Sequence, residues 1–81
     1  MSGSRHQALI VARQLVRTFG SAPDPRRRAQ AVMSELRRAD DWSAAGRQGI
    51  EAADAWLRTS PPVTALEPRL RELLTRLAKA Q

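Results

Sequence analysis

The strongest constraint on this chain is a leucine stripe near its C-terminus. Leu66, Leu70, Leu73, Leu74 and Leu77 recur at the three- and four-residue spacing that sets them on one face of an α-helix, within an arc of about 100°. A face so apolar must be covered, so the rest of the chain has to supply matching surfaces. Three further segments repeat the helical period, whereas alternation of period two, the mark of a half-buried strand, occurs nowhere over a useful length. The sequence therefore predicts an all-α fold, a compact single-domain bundle of about four short helices with tight connections, near residues 4–19, 25–39, 42–59 and 65–79 of the 81.

Punctuation between the apolar runs sets these limits. After Met1 to Gly3, Ser4 and Gln7 have the spacing of a capping box. Ala8, Leu9, Val11, Ala12, Leu15, Val16 and Phe19 share the buried arc of the first helix, and Gly20 is expected as its left-handed cap. Asp24 and Pro25 are an N-cap and a first helical residue, ahead of an inner face of Ala29, Val32, Met33, Leu36 and Ala39. Asp41 is expected to cap the third helix, which runs from Trp42 to about Thr59, before Ser60, Pro61 and Pro62. Trp42, Ala45, Gly46, Gly49, Ile50, Ala53, Trp56 and Leu57 fall on one side of it, which favours core packing of the tryptophans over a stacking platform for bases. Two glycines inside a helix cost about 2 kcal/mol relative to alanine, which points to close approach of a neighbour or a bend. The fourth helix starts either at a Thr64 and Glu67 capping box or with Pro68 in its first turn.

Composition removes most chemistry. With no Cys and a single His, disulfides, thiol nucleophiles and imidazole metal sites are excluded. His6 lies in the opening turn of the first helix, and no Ser or Thr stands beside a base that would activate it. Asp40 and Asp41 read as capping residues, while Glu51 and Asp54 stand four residues from Arg47 and Arg58, the spacing of surface ion pairs. No glycine-rich phosphate loop follows a strand. The expectation is a chain that is not an enzyme and takes no cofactor and no metal. Neither a signal-peptide pattern nor a run of about 20 apolar residues occurs, so a cytoplasmic location without a membrane partner is expected.

Charge is more informative. Fourteen basic and eight acidic residues give a net +6. Residues 1–38 hold Arg5, Arg13, Arg17, Arg26, Arg27, Arg28, Arg37 and Arg38 against Asp24 and Glu35, eight minus two, whereas residues 39–81 hold six of each sign and sum to zero. Arg26, Arg27 and Arg28 occupy the first turn of a helix, against the macrodipole. Free backbone N–H groups there, joined by three guanidiniums, suit phosphate or clustered carboxylates; the plainer account is a helix capped by Asp24 with arginines turned to water. Ile10 falls with His6, Arg13 and Arg17 opposite the buried arc of the first helix, and Arg37 and Arg38 extend this basic surface if the first two helices are neighbours. The candidate partner- or anion-binding residues are thus Arg26, Arg27, Arg28, Arg13, Arg17, Ile10, Arg37 and Arg38.

Two functional expectations follow. One is a small protein-binding module, inhibitor or regulator, monomeric or homodimeric, that docks the basic surface of helices one and two on an acidic or nucleic-acid-binding surface of a larger protein or nucleoprotein complex. Phage-type inhibitors of host machinery, such as anti-CRISPR proteins, fit that class by size and lack of motifs alone. The alternative is direct, mostly non-specific DNA binding through the same surface. A helix-turn-helix across helices two and three is the weaker form of it, because Arg47 and Arg58 are the only basic residues of the would-be recognition helix and Glu51 and Asp54 balance them.

Overall fold

Capping explains where each helix begins, and in one case which helix a residue caps. The computed structural model describes residues 4–79; Met1 to Gly3, Ala80 and Gln81, part of the expected single domain, lie outside the described residues. Helices α1 (Arg5–Arg17), α2 (Pro25–Arg38), α3 (Ala44–Leu57) and α4 (Val63–Lys79) follow in order, with no strand element among the described residues. The Ser4 hydroxyl accepts from the Gln7 amide at 3.1 Å, and the Asp24 carboxylate accepts from the Arg27 amide at 3.2 Å, so the first two N-caps are those the sequence predicts.

The end of α1 differs from expectation. Gly20 is not a left-handed cap: no described glycine has a positive φ, and Phe19–Ser21 instead form a 3-10 turn. Main-chain bonds from Ser21 to Thr18 and from Ala22 to Phe19 tighten the chain there and turn Phe19 into the core, which makes a left-handed residue unnecessary.

Asp41 also departs from expectation. Ser43 caps α3, its hydroxyl accepting from the Gly46 amide at 3.1 Å, so the helix opens at Ala44 rather than Trp42. The Asp41 carboxylate points back to α1, where it accepts from the Arg5 amide at 2.8 Å, while the Arg5 guanidinium donates to the Asp41 carbonyl at 2.9 Å. The cause is the antiparallel α1–α2 hairpin, which brings the chain leaving α2 beside the first turn of α1. Unsatisfied amides and the positive end of the macrodipole favour a carboxylate there. Trp42 is therefore not helical. It lies buried in the linker, and its indole N–H donates to the Leu36 carbonyl at 2.8 Å, satisfying one acceptor of the last turn of α2.

Helix α4 begins at Val63, ahead of both expected starts, with the Pro62 carbonyl accepting from the Ala65 amide at 2.9 Å. Pro68 thus sits inside the helix and has no N–H to give Thr64, a loss confined to an exposed turn where water can reach the carbonyl.

Helix α4 is the common support, packing on α1, α2 and α3, and its five stripe leucines are all buried. Against them close Leu9, Ala12 and Val16 of α1, Val32, Met33 and Leu36 of α2, and Ile50 and Ala53 of α3. Helix α3 buries a narrower arc than expected: Ala45 is exposed, and Trp56 and Leu57 are half-buried at the margin. A Cβ added at Gly49 would lie 3.5 Å from Leu73, and one at Gly46 would lie 3.4 Å from Leu77, so α3 approaches α4 closely but a methyl fits in contact at Gly49. The radius of gyration, 11.8 Å, equals the roughly 12 Å expected for a compact chain of this length. No described helix is long and apolar enough to cross a membrane.

Candidate functional site

The arginines of the first half divide into those bonded within the chain and those facing water. Arg28 is half-buried and donates to the Leu15 carbonyl at 2.9 Å and to the Thr18 hydroxyl at 2.7 Å. A cation at that point complements the C-terminal dipole of α1 and satisfies a terminal carbonyl, so Arg28 fastens α2 to α1. The three-arginine cluster is thereby reduced to Arg26 and Arg27. Arg37 pairs with Asp54 at 2.6 Å, a carboxylate that also holds Arg58 at 3.0 Å, and Arg38 lies 3.7 Å from Glu35. With Arg5 held by Asp41, the side chains of Arg13, Arg17, Arg26 and Arg27 are left without an ion pair or hydrogen bond among the described residues.

The fold sets these four on neighbouring ground. His6, Ile10, Arg13 and Arg17 are all exposed on the outer face of α1, Ile10 to 40%. Because Arg28 bonds to Leu15 and Thr18, the first turn of α2 lies beside the last turn of α1, placing Arg26 and Arg27 at the Arg17 end of the bundle. Arg13 and Arg17 also border a depression of about 260 Å³ between α1 and α4, completed by Val16, Arg71, Leu74 and Thr75. Sequence reasoning missed Arg71, whose nearness to α1 depends on how α4 packs and leaves no local trace. Arg71 directs Nε and Nη2 at one Glu67 oxygen, each at 2.8 Å.

The continuous stripe expected through Arg37 and Arg38 is not formed. Helices α1 and α2 are neighbours, as that expectation required, but they run antiparallel. Arg38 therefore lies near Ser4 and Gln7, at the opposite end of α1 from Arg17, and Arg37 turns toward Asp54 of α3. The tryptophans form no open platform: Trp42 is buried, and the guanidinium of Arg69 covers the ring of half-buried Trp56 at 5.6 Å from its centroid. No group of three or more His, Cys, Asp or Glu side chains that could hold a metal occurs among the described residues.

No protein-family model matches this chain, and neither any curated protein nor any solved structure does. The functional reading therefore rests on the geometry of the arginine surface.

Proposed function

We propose that this chain is a non-enzymatic binding module, an inhibitor or regulator, that docks on an acidic surface of a larger protein or nucleoprotein partner. The observation that carries this reading is the sorting of the arginines. Arg5, Arg28, Arg37 and Arg38 are bonded inside the chain, whereas Arg13, Arg17, Arg26 and Arg27 are without partners among the described residues; Arg13 and Arg17 share the outer face of α1 with exposed Ile10, and Arg26 and Arg27 stand in the first turn of α2 near the Arg17 end. Unpaired guanidiniums steer association with an opposite charge and form bidentate contacts with carboxylates, and an aliphatic side chain among them supplies an apolar anchor.

Capture from lysate of the source cell or its host, with and without nuclease, compares the parent chain with a variant carrying Arg→Glu at Arg13, Arg17, Arg26 and Arg27. The expected result is a nuclease-resistant partner that the variant loses while its circular dichroism is unchanged. Equal capture by the variant overturns this surface. A partner that vanishes with nuclease, together with duplex DNA affinity that falls steeply with salt, replaces the reading by direct nucleic-acid binding.

A further inference from the structure

The depression between α1 and α4 gathers Arg13, Arg17 and Arg71 around Val16, Leu74 and Thr75, with no carboxylate in its lining. The depressions lined by Arg37, Arg38, Arg47 and Arg58 also hold Asp54, Glu35 or Glu51, and Arg76, in the groove between α3 and α4, is paired with Glu72. Arg13 and Arg17 are four residues apart, hence about 6 Å along the helix axis, and Ile10 lies a further turn toward the N-terminus on the same outer face. That row repeats the spacing of side chains on another helix. Two unpaired cations and an exposed isoleucine match a phosphate backbone poorly, since a handful of phosphate contacts gives little affinity at physiological salt and an aliphatic anchor adds nothing to it.

We infer that this depression receives an acidic amphipathic helix of the partner protein, running antiparallel to α1. Two carboxylates four residues apart meet Arg17 and Arg13, and an aliphatic side chain three residues beyond covers Ile10. Arg71, held by Glu67 through one edge of its guanidinium, offers its remaining N–H groups to the first carboxylate. The inference rests on the docking reading above and narrows it to one groove and one kind of ligand.

The probe is a fluorescein-labelled, stapled helical peptide carrying two glutamates four residues apart and a leucine three residues further on. Binding to the full chain is read by anisotropy and by 15N chemical shifts. Saturable binding is expected, with shifts at Arg13, Arg17 and Arg71. Arg13→Gln with Arg17→Gln should weaken it by about tenfold or more, as should Glu→Gln in the peptide; Ile10→Ser should cost about threefold. Arg47→Gln, at an exposed position of α3 away from this groove, should leave it unchanged. No binding at about 1 mM peptide, equal binding of the glutamine peptide, or shifts confined to another face each overturn the inference. Loss of captured partner in the four-arginine variant without any peptide response overturns this groove and leaves the docking reading standing. Capture that survives that variant removes both.

Discussion

The α1–α2 and α3–α4 hairpins are built alike and use arginine differently. On α3 and α4, Arg58, Arg71 and Arg76 each pair with a carboxylate four residues earlier on the same helix, Asp54, Glu67 and Glu72. The first hairpin has only the long Arg38–Glu35 contact of its own. Its other bonded arginines fasten it to its own backbone, through Arg28, or to the second half of the chain, through Arg37 to Asp54 and Arg5 to Asp41. The arginines of the second hairpin are thus mostly matched by carboxylates of their own segment, with Arg69 over Trp56 and Arg47 alone unpaired among the described residues, whereas the first presents four unpaired guanidiniums. The excess of cations in the first half survives folding as four unpaired arginines, on the outer face of α1 and in the first turn of α2.

The largest test asks whether the two hairpins are one cooperative unit. Leu70 of α4 is fully buried in their shared core, so Leu70→Ala should lower the unfolding free energy by about 2–5 kcal/mol. Urea transitions followed by tryptophan fluorescence and by circular dichroism should stay coincident; separate transitions would break the picture of a single support. Trp42→Phe probes the linker between the hairpins. It strands the Leu36 carbonyl and should cost about 1–3 kcal/mol in the same assay.

The division among arginines is sharpened by a paired comparison. Arg28→Ala removes two hydrogen bonds at the end of α1 and should destabilise by about 1–2 kcal/mol, whereas Arg26→Ala should stay within about 0.5 kcal/mol. Equal costs would erase the distinction between bonded and unassigned guanidiniums. The smallest effect contrasts the helix contacts. Ala12 and Ala29 have no exposed surface left in the first hairpin, while a Cβ at Gly49 of the second would meet Leu73 at an ordinary 3.5 Å. Gly49→Ala should accordingly stabilise by about 0.5–1 kcal/mol, seen as a higher melting temperature. A lower one would show that α3 needs the glycine for its approach to α4.

Much of the fold was legible because helical signals are local. The leucines of α4, the inner arc of α2 and the caps Ser4 and Asp24 follow from spacings of three and four residues, and the structure places them accordingly. Ile10 was read as exposed from phase alone, and it is. Where two local signals competed, phase could not choose. Thr64 and Pro68 both suit a start that the chain takes at Val63, and at α3 the expected cap Asp41 gives way to Ser43 because packing draws the Asp41 carboxylate to α1.

By itself, the sequence determined four amphipathic helices, their order, the leucine face they must cover and the excess of cations in the first half, because each depends on neighbours within a turn or on simple counting. Tertiary structure decided which helix Asp41 caps, that Arg28 and Arg37 are occupied, and that Arg13 and Arg17 share a depression with Arg71. The physical reason is one of range. A carboxylate or guanidinium on a flexible stem binds whichever backbone end or opposite charge the packing brings within about 3 Å, and that meeting is set by how antiparallel hairpins close on α4.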